Sequence, residues 1–323
     1  MRLKVGTLPD RRGGPRRQGF YPVPRPLRAG EAPARGAYNR LMALGQAPVR
    51  VAFDAAAVCG ARPTRGLRAK RLASFARVPL GEGALLPSPH EPNIVRPEEV
   101  RDALAHVVRT LDAGREEIAF LLPEGVARLV LLESPGNVRP EEYARYRLSP
   151  GLPYPVREAV VQAEVVGAGR ILAAVARRSV IAEYEETARA AGLVQGRMDL
   201  APLAGLQALR RVAPRSGPAV DLVLGDIGYS LALYDAGTLR VLRNRRRDRD
   251  ADEPRRMALE VERALRFGGL EGSPRVRIVG PGAGGLLREL AVAGGAAEPG
   301  WAIDGGAMPI EAAEVPWLGS LFA

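Results

Sequence analysis

The stretch that most constrains this chain is residues 222–243, LVLGDIGYSLALYDAGTLRVLR. Apolar runs flank small-residue breaks, the pattern of strands joined by tight turns. The spacing predicts a β-hairpin. Within it Asp226 and Gly228, followed by Tyr229 and Ser230, interrupt an otherwise apolar run. A buried strand seldom carries an acid without a partner, because taking a charge out of water is unfavourable. A small-residue turn of this kind leaves backbone N–H groups free to cradle an anion, and the acid could hold magnesium, usually through its water shell. An acid that caps its own turn is the plain alternative.

A second break of this type is VGPGAGGLL, residues 279–287, placed between a predicted strand and a predicted helix. Glycines there let a ligand approach the backbone, and the helix start favours an anion. No Gly-Lys-Ser/Thr follows, so it is not a Walker loop, and no ribose-binding acid makes it a dinucleotide fingerprint. Nucleotide binding and tight helix–strand packing fit the spacing equally.

The rest of the chain mixes strands and helices. Residues 49–63 read as strand, turn and strand, and 68–80 as a third strand. Residues 96–114 form an amphipathic helix with Pro97 in its first turn and Gly114 as its stop. Two strands around a Pro/Gly turn are expected over 117–134. A short helix, a break between Pro150 and Pro155 and a strand follow over 139–167; a strand and a helix over 169–193; helices over 199–212 and 255–267. Meanders mixed with helices, rather than strict βαβ alternation, indicate an α/β or α+β fold with mixed sheets.

Charge and composition exclude several functions. Residues 1–50 hold eleven Arg and Lys against two acids, so that stretch carries +9 of the net +11 and the remainder is nearly neutral. The high isoelectric point therefore belongs to a Pro-, Gly- and Arg-rich tail, residues 1–48, and does not mark the globular part as a nucleic-acid binder. Met42, just before the first strand, is an alternative start. In the charged run 243–256 acids alternate with arginines, as in a solvated loop. One cysteine, Cys59, and two histidines, His90 and His106, leave no disulfide and no His/Cys metal site. Cys59 reads as a small buried apolar group. No Ser-His-Asp or Cys-His order is legible. No apolar run reaches the ~18 residues of a membrane helix, and no secretory signal is evident, so a cytoplasmic location is expected.

Five segments in order, LPYPVREAVVQAEVV, ILAAVARRSVIAEYEETARAAGL, VLGDIGYSLALYDAGTLRVLR, MALEVERAL and VRIVGPGAGGLL, resemble the PilM family of actin-like type IV pilus assembly proteins. That family is related to FtsA and to the cytoplasmic domain of GspL. The resemblance spans about residues 49–323, and its most specific part is Leu152-Pro153-Tyr154-Pro155 with a strand after Glu158. It implies an α/β, actin-like (ribonuclease H-like) two-lobe ATPase fold with an inserted subdomain. Residues 49–116 would begin the first lobe, 117–195 form the insert, 196–215 return to the first lobe and 216–323 form the second. It implies ATP and magnesium as ligands, with Asp54, Asp226, Gly228, Tyr229, Ser230, Gly280, Gly282 and Gly284 around the nucleotide and Asp226 beside the metal.

The first hairpin departs from the family pattern. Only its acid, Asp54, survives; the glycine two residues on is Ala56, and the nearest basic residue is Arg62. Alanine is strained where a turn needs positive φ, and its Cβ would crowd a phosphate. The resemblance therefore implies weak or lost nucleotide binding and a scaffold role: a cytoplasmic protein held at the inner membrane by the N-terminal peptide of a PilN-like partner, with the basic tail near anionic lipid. A GspL-like secretion component and an active actin-fold ATPase are the alternatives.

Overall fold

The computed structural model describes residues 49–63, 72–113, 118–167, 169–193, 197–212, 217–248, 250–269, 274–283, 285–286, 302–303 and 317. The expected basic tail, residues 1–48, and Gly284 lie outside them.

The first unit opens with an antiparallel meander, β1 (Val49–Phe53), β2 (Ala57–Pro63) and β3 (Leu72–Pro79). Helix α1 (Pro97–Thr110) crosses over, and β4 (Ile118–Leu122) returns parallel to β1. Proline in the first turn of α1, Glu98 and Glu99 beside it and Arg109 in the last turn suit the helix ends and dipole. Its Val100, Leu104, Val107 and Val108 recur at helical spacing and are buried on the sheet. The helix comes so close to β2 that a Cβ on Gly60 would lie 2.5 Å from Val107 Cγ1.

An insert follows: β5 (Arg128–Glu133), α2 (Pro140–Leu148), β6 (Ala159–Gly167) and β7 (Arg170–Arg177). Its sheet runs β5-β7-β6, all antiparallel. The Leu152–Pro155 step breaks the chain between α2 and β6. Tyr154 is buried there under the Arg177 guanidinium, which pairs with Glu158 at 3.0 Å. The chain then re-enters the first unit. Helix α3 (Arg178–Ala190) puts Tyr184 into that core, its ring edge 5.1 Å from Phe53, and β8 (Met198–Leu200) pairs parallel to β4.

The two strands expected over 117–134 form as β4 and β5 but join different sheets, since β4 pairs with β1 and β5 with β7. The insert is also narrower than 117–195: β4 and α3 belong to the first unit, one by its hydrogen bonds and the other by its buried face.

Helix α4 (Ala201–Val212) comes next, then β9 (Pro218–Leu224), β10 (Gly228–Asp235), β11 (Thr238–Arg246), α5 (Glu253–Gly268), β12 (Arg275–Val279) and β13 (Ala302–Ile303). The predicted hairpin over 222–243 is thus part of a three-stranded meander with two turns, at 225–227 and 236–237. The second sheet runs β11-β10-β9-β12-β13 and the first β3-β2-β1-β4-β8. Each is a meander, a crossover helix and two parallel additions, so the same topology occurs twice. α4 lies between the copies. Ala201 and Ala204 touch Ala52, Cys59 and Leu121 of the first, while Leu203, Leu206 and Leu209 touch Val223, Ala232 and Val279 of the second. Arg277 fixes the helix to the second sheet: it pairs with the buried Asp221 across the β9–β12 ladder and donates to the Leu209 carbonyl at 2.9 Å.

Candidate functional site

Two turns face each other between the units. In the first, the Asp54 N–H donates to the Ala57 carbonyl at 2.9 Å and closes a two-residue tip, Ala55–Ala56. In the second, the Gly225 N–H donates to the Gly228 carbonyl at 2.8 Å around the tip Asp226–Ile227. Strand registers agree, Phe53 pairing with Val58 and Leu224 with Tyr229. The counterpart of Asp54 is therefore Gly225, and the residue in the place of Gly228 is Ala57 rather than Ala56. The expected backbone strain is also corrected, since no residue of either tip has positive φ. Gly228 is required for space instead: a Cβ there would lie 2.9 Å from the Arg245 carbonyl oxygen and 3.2 Å from Glu124.

The two acids do meet. Asp54 and Asp226 hydrogen-bond through their carboxyls, and the Ala55 N–H donates to Asp54 Oδ1 at 2.6 Å. Burial first, and the Asp226 charge second, push the Asp54 carboxyl up to about 7. Like charges this close resist joint ionisation, which adds to the effect of burial on Asp54. Among the described residues no group of three or more His, Cys, Asp and Glu is arranged to hold a metal ion.

Tyr229 and Ser230 are strand residues, and alternation sends them opposite ways. Tyr229 joins Leu231, Met257 and Val261 in the core beneath α5, away from the cleft, which corrects its expected place at a nucleotide. Ser230 faces the first unit, where its hydroxyl donates to Glu124 Oε1 at 2.6 Å. Glu124, in the loop after β4, was not a sequence candidate; Pro123-Glu124-Gly125 reads only as a turn. Burial pushes its carboxyl up to about 7, against the hydrogen bonds from Ser230 and Asn244.

The glycine-rich turn is used for packing. Gly280 has φ of 116°, and a Cβ there would lie 2.1 Å from the Leu224 carbonyl oxygen. Arg247 joins this turn to the second hairpin: it donates to the carbonyls of Gly225 (3.1 Å) and Pro281 (2.8 Å) and pairs with Glu253 at 2.8 Å. The guanidinium also lies against Gly282. Trp317 closes the alanine-lined wall beside Ala52, Ala57 and Cys59. Burial pushes the Cys59 thiol up to about 12, as expected of an unreactive apolar side chain. The remaining cavity, lined by Asp54, Glu124, Asp226 and Trp317, has a volume of about 60 Å³.

No protein-family model matches the chain, and no curated protein matches it. Solved structures do. A PilM–PilN type IV pilus biogenesis complex matches with a TM-score of 0.63 at 19% identity, covering 85% of this chain and 96% of the other. A Bacteroides thetaiotaomicron protein with an actin-like ATPase fold and unknown function matches with a TM-score of 0.54 at 9% identity, covering 86% and 96%. The cytoplasmic domain of EpsL, an inner-membrane component of the Vibrio cholerae type II secretion system, matches with a TM-score of 0.47 at 12% identity, covering 72% and 82%.

The fold is the actin-like ATPase fold. The duplicated sheets are its two lobes, and the two turns face each other across its interlobe cleft.

A second groove lies between the first actin-like lobe and the insert. Two sheet edges border it, β8 of the lobe and β6 of the insert. Leu122, Val160, Ile181, Met198, Leu200 and Leu203 supply apolar walls around a volume of about 90 Å³. Asp199 is the acid among them. Its Oδ1 accepts from Arg197 at 2.7 Å, while Oδ2 is buried without a hydrogen bond, and burial raises its carboxyl above the usual range. An edge strand offers unpaired backbone groups, and apolar walls offer side-chain anchors. No helix among the described residues is long and apolar enough to cross a membrane.

Proposed function

We propose that this protein is an actin-like scaffold of a type IV pilus inner-membrane platform. It binds the N-terminal cytoplasmic peptide of a PilN-like membrane protein in the groove between β6 and β8, and its interlobe cleft has weak or no use for ATP and magnesium. The observation that carries the reading is the groove itself, two open sheet edges around apolar walls, on a chain whose fold matches a PilM–PilN complex over 85% of its length. An extended peptide there gains main-chain hydrogen bonds from an edge and buries alternate side chains. The protein then sits at the membrane through its partner, in the cytoplasm. The basic tail adds attraction to anionic lipid, at ~1 kcal/mol per basic residue near the surface.

Fluorescence anisotropy with a labelled peptide of the partner's N-terminal residues tests the groove. Wild type binds, and Leu200→Arg, which places a charge between β8 and β6, abolishes binding while the fold persists by circular dichroism. Binding that survives Leu200→Arg sinks the assignment. For the tail, deleting residues 1–41 lowers cosedimentation with anionic vesicles at low salt; unchanged cosedimentation removes it from the proposal.

A further inference from the structure

The second hairpin turn keeps both of its glycines, and a side chain of the other lobe lies against both. That side chain is Glu124. A Cβ on Gly225 would lie 3.1 Å from Glu124 Oε2, and one on Gly228 would lie 3.2 Å from Glu124 Cγ and Cδ. Both glycines thus leave room for a carboxylate that arrives from the other lobe. The strands that follow the turn, β10 and β11, supply the partners. Ser230 Oγ donates to Glu124 Oε1 at 2.6 Å, and Asn244 Nδ2 supports the serine at 2.6 Å. The contact continues at Gly125 of the first lobe, where a Cβ would lie 3.5 Å from Ile227 Cδ1 at the hairpin tip.

We infer that Glu124 is the resident occupant of the space beside the two glycines of the second hairpin turn and that it latches the two lobes closed without a ligand. The residue belongs to the loop after β4, which occupies in the first lobe the place that the glycine-rich turn after β12 has in the second. A carboxyl is planar and accepts hydrogen bonds: its Oε1 takes the Ser230 bond, and its flat group fits where the two glycines lack a Cβ. Because it is covalently part of the chain, its local concentration is fixed and no cellular ligand level sets closure. The lobes of this protein are then held as a permanently closed body, and any change that opens them has to displace this side chain first. The inference stands apart from the partner proposal, since the groove between β6 and β8 does not include Glu124.

Small-angle X-ray scattering of the full chain reads closure, and calorimetry with ATP and magnesium reads whether the turn is free. Wild type is compact and gives no heat at millimolar ATP. Glu124→Gln keeps the shape and the bond from Ser230 and scatters like wild type. Glu124→Ala and Ser230→Ala raise the radius of gyration, the first by more. Two variants guard against one failing to fold. Wild-type scattering from both overturns the latch, as does tight ATP binding by wild type, which needs the turn vacant. A peptide that fails to bind the groove leaves these readings unchanged, so the two proposals fail separately.

Discussion

The two lobes repeat one topology, and their facing turns have diverged. At 54–57 the first turn is Asp-Ala-Ala-Ala; at 225–228 the second is Gly-Asp-Ile-Gly. Both close with the same backbone hydrogen bond, N–H of the first residue to the carbonyl of the fourth. The backbone geometry thus survives without the glycines, because neither tip uses positive φ. What the glycines of the second turn provide is room, and Glu124 uses it. In the first lobe the room is closed by methyl groups and Trp317. The difference teaches that turn shape and ligand chemistry are separable here: hydrogen bonding and strand register keep the shape, while small local volumes decide what lies inside it.

Changes that touch only one side of this pair should break the symmetry, and the largest effect is expected at Gly280. Its Cβ would strike the Leu224 carbonyl, and its φ is one that other residues rarely adopt. Gly280→Ala should destabilise by about 3 kcal/mol or more, or prevent folding; denaturant unfolding measures it. The first-lobe counterpart, the start of the loop after β4, is Pro123, which needs no such conformation.

A smaller effect, a few kcal/mol in order of magnitude, is expected from pH, and it sharpens the electrostatic side of the comparison. Asp54 of the first turn and Glu124 in the second both have folded-state values raised to about 7, from 3.8 and 4.5. The folded protein therefore binds more protons than the unfolded chain in this range. Their stabilising contribution is fully present below about 4 and is lost as pH rises through about 7. The thermal midpoint should be higher at pH 5.5 than at pH 8, and Asp54→Asn with Glu124→Gln should flatten the slope. A midpoint that rises with pH over that interval contradicts the buried-carboxyl account.

The smallest effect concerns the other turn of the second meander. Ala236 has φ of 45° and Gly237 81°, a two-residue turn with both tips left-handed. Ala236→Gly should stabilise by about 0.5–1 kcal/mol, where either tip residue of the 54–57 turn would gain nothing from the same change.

Much of the fold was legible locally. The strands of the first and second meanders, α1, α3, α4 and α5, and the break before β6 follow from period-2 and period-3.6 patterns, proline and glycine, which act over a few residues. The insert's limits were not legible, because β4 and β5 look alike as apolar runs and only pairing separates them. Of the site candidates, Asp54 and Asp226 come together, Ser230 meets Glu124, and Gly280 and Gly282 lie in the adjoining turn, while Tyr229 lies in a core. Glu124 had no local signal at all.

The sequence by itself determined the elements, the positions of the tight turns and the two acids that face each other, since these depend on propensity and on side-chain alternation along one strand. The tertiary structure alone decided what fills the cleft. Glu124 reaches Ser230 across 106 residues of chain, Arg247 spans from the hairpin to the glycine-rich turn, and Trp317 comes from the far end to cover the alanine wall. Each of these is a contact between segments that share no local pattern, made specific by strand register and by the absence of a Cβ at one glycine or another. A motif records which backbone a turn can form; the occupant of that turn is set by whichever side chain the rest of the fold brings within 3 Å or so of it.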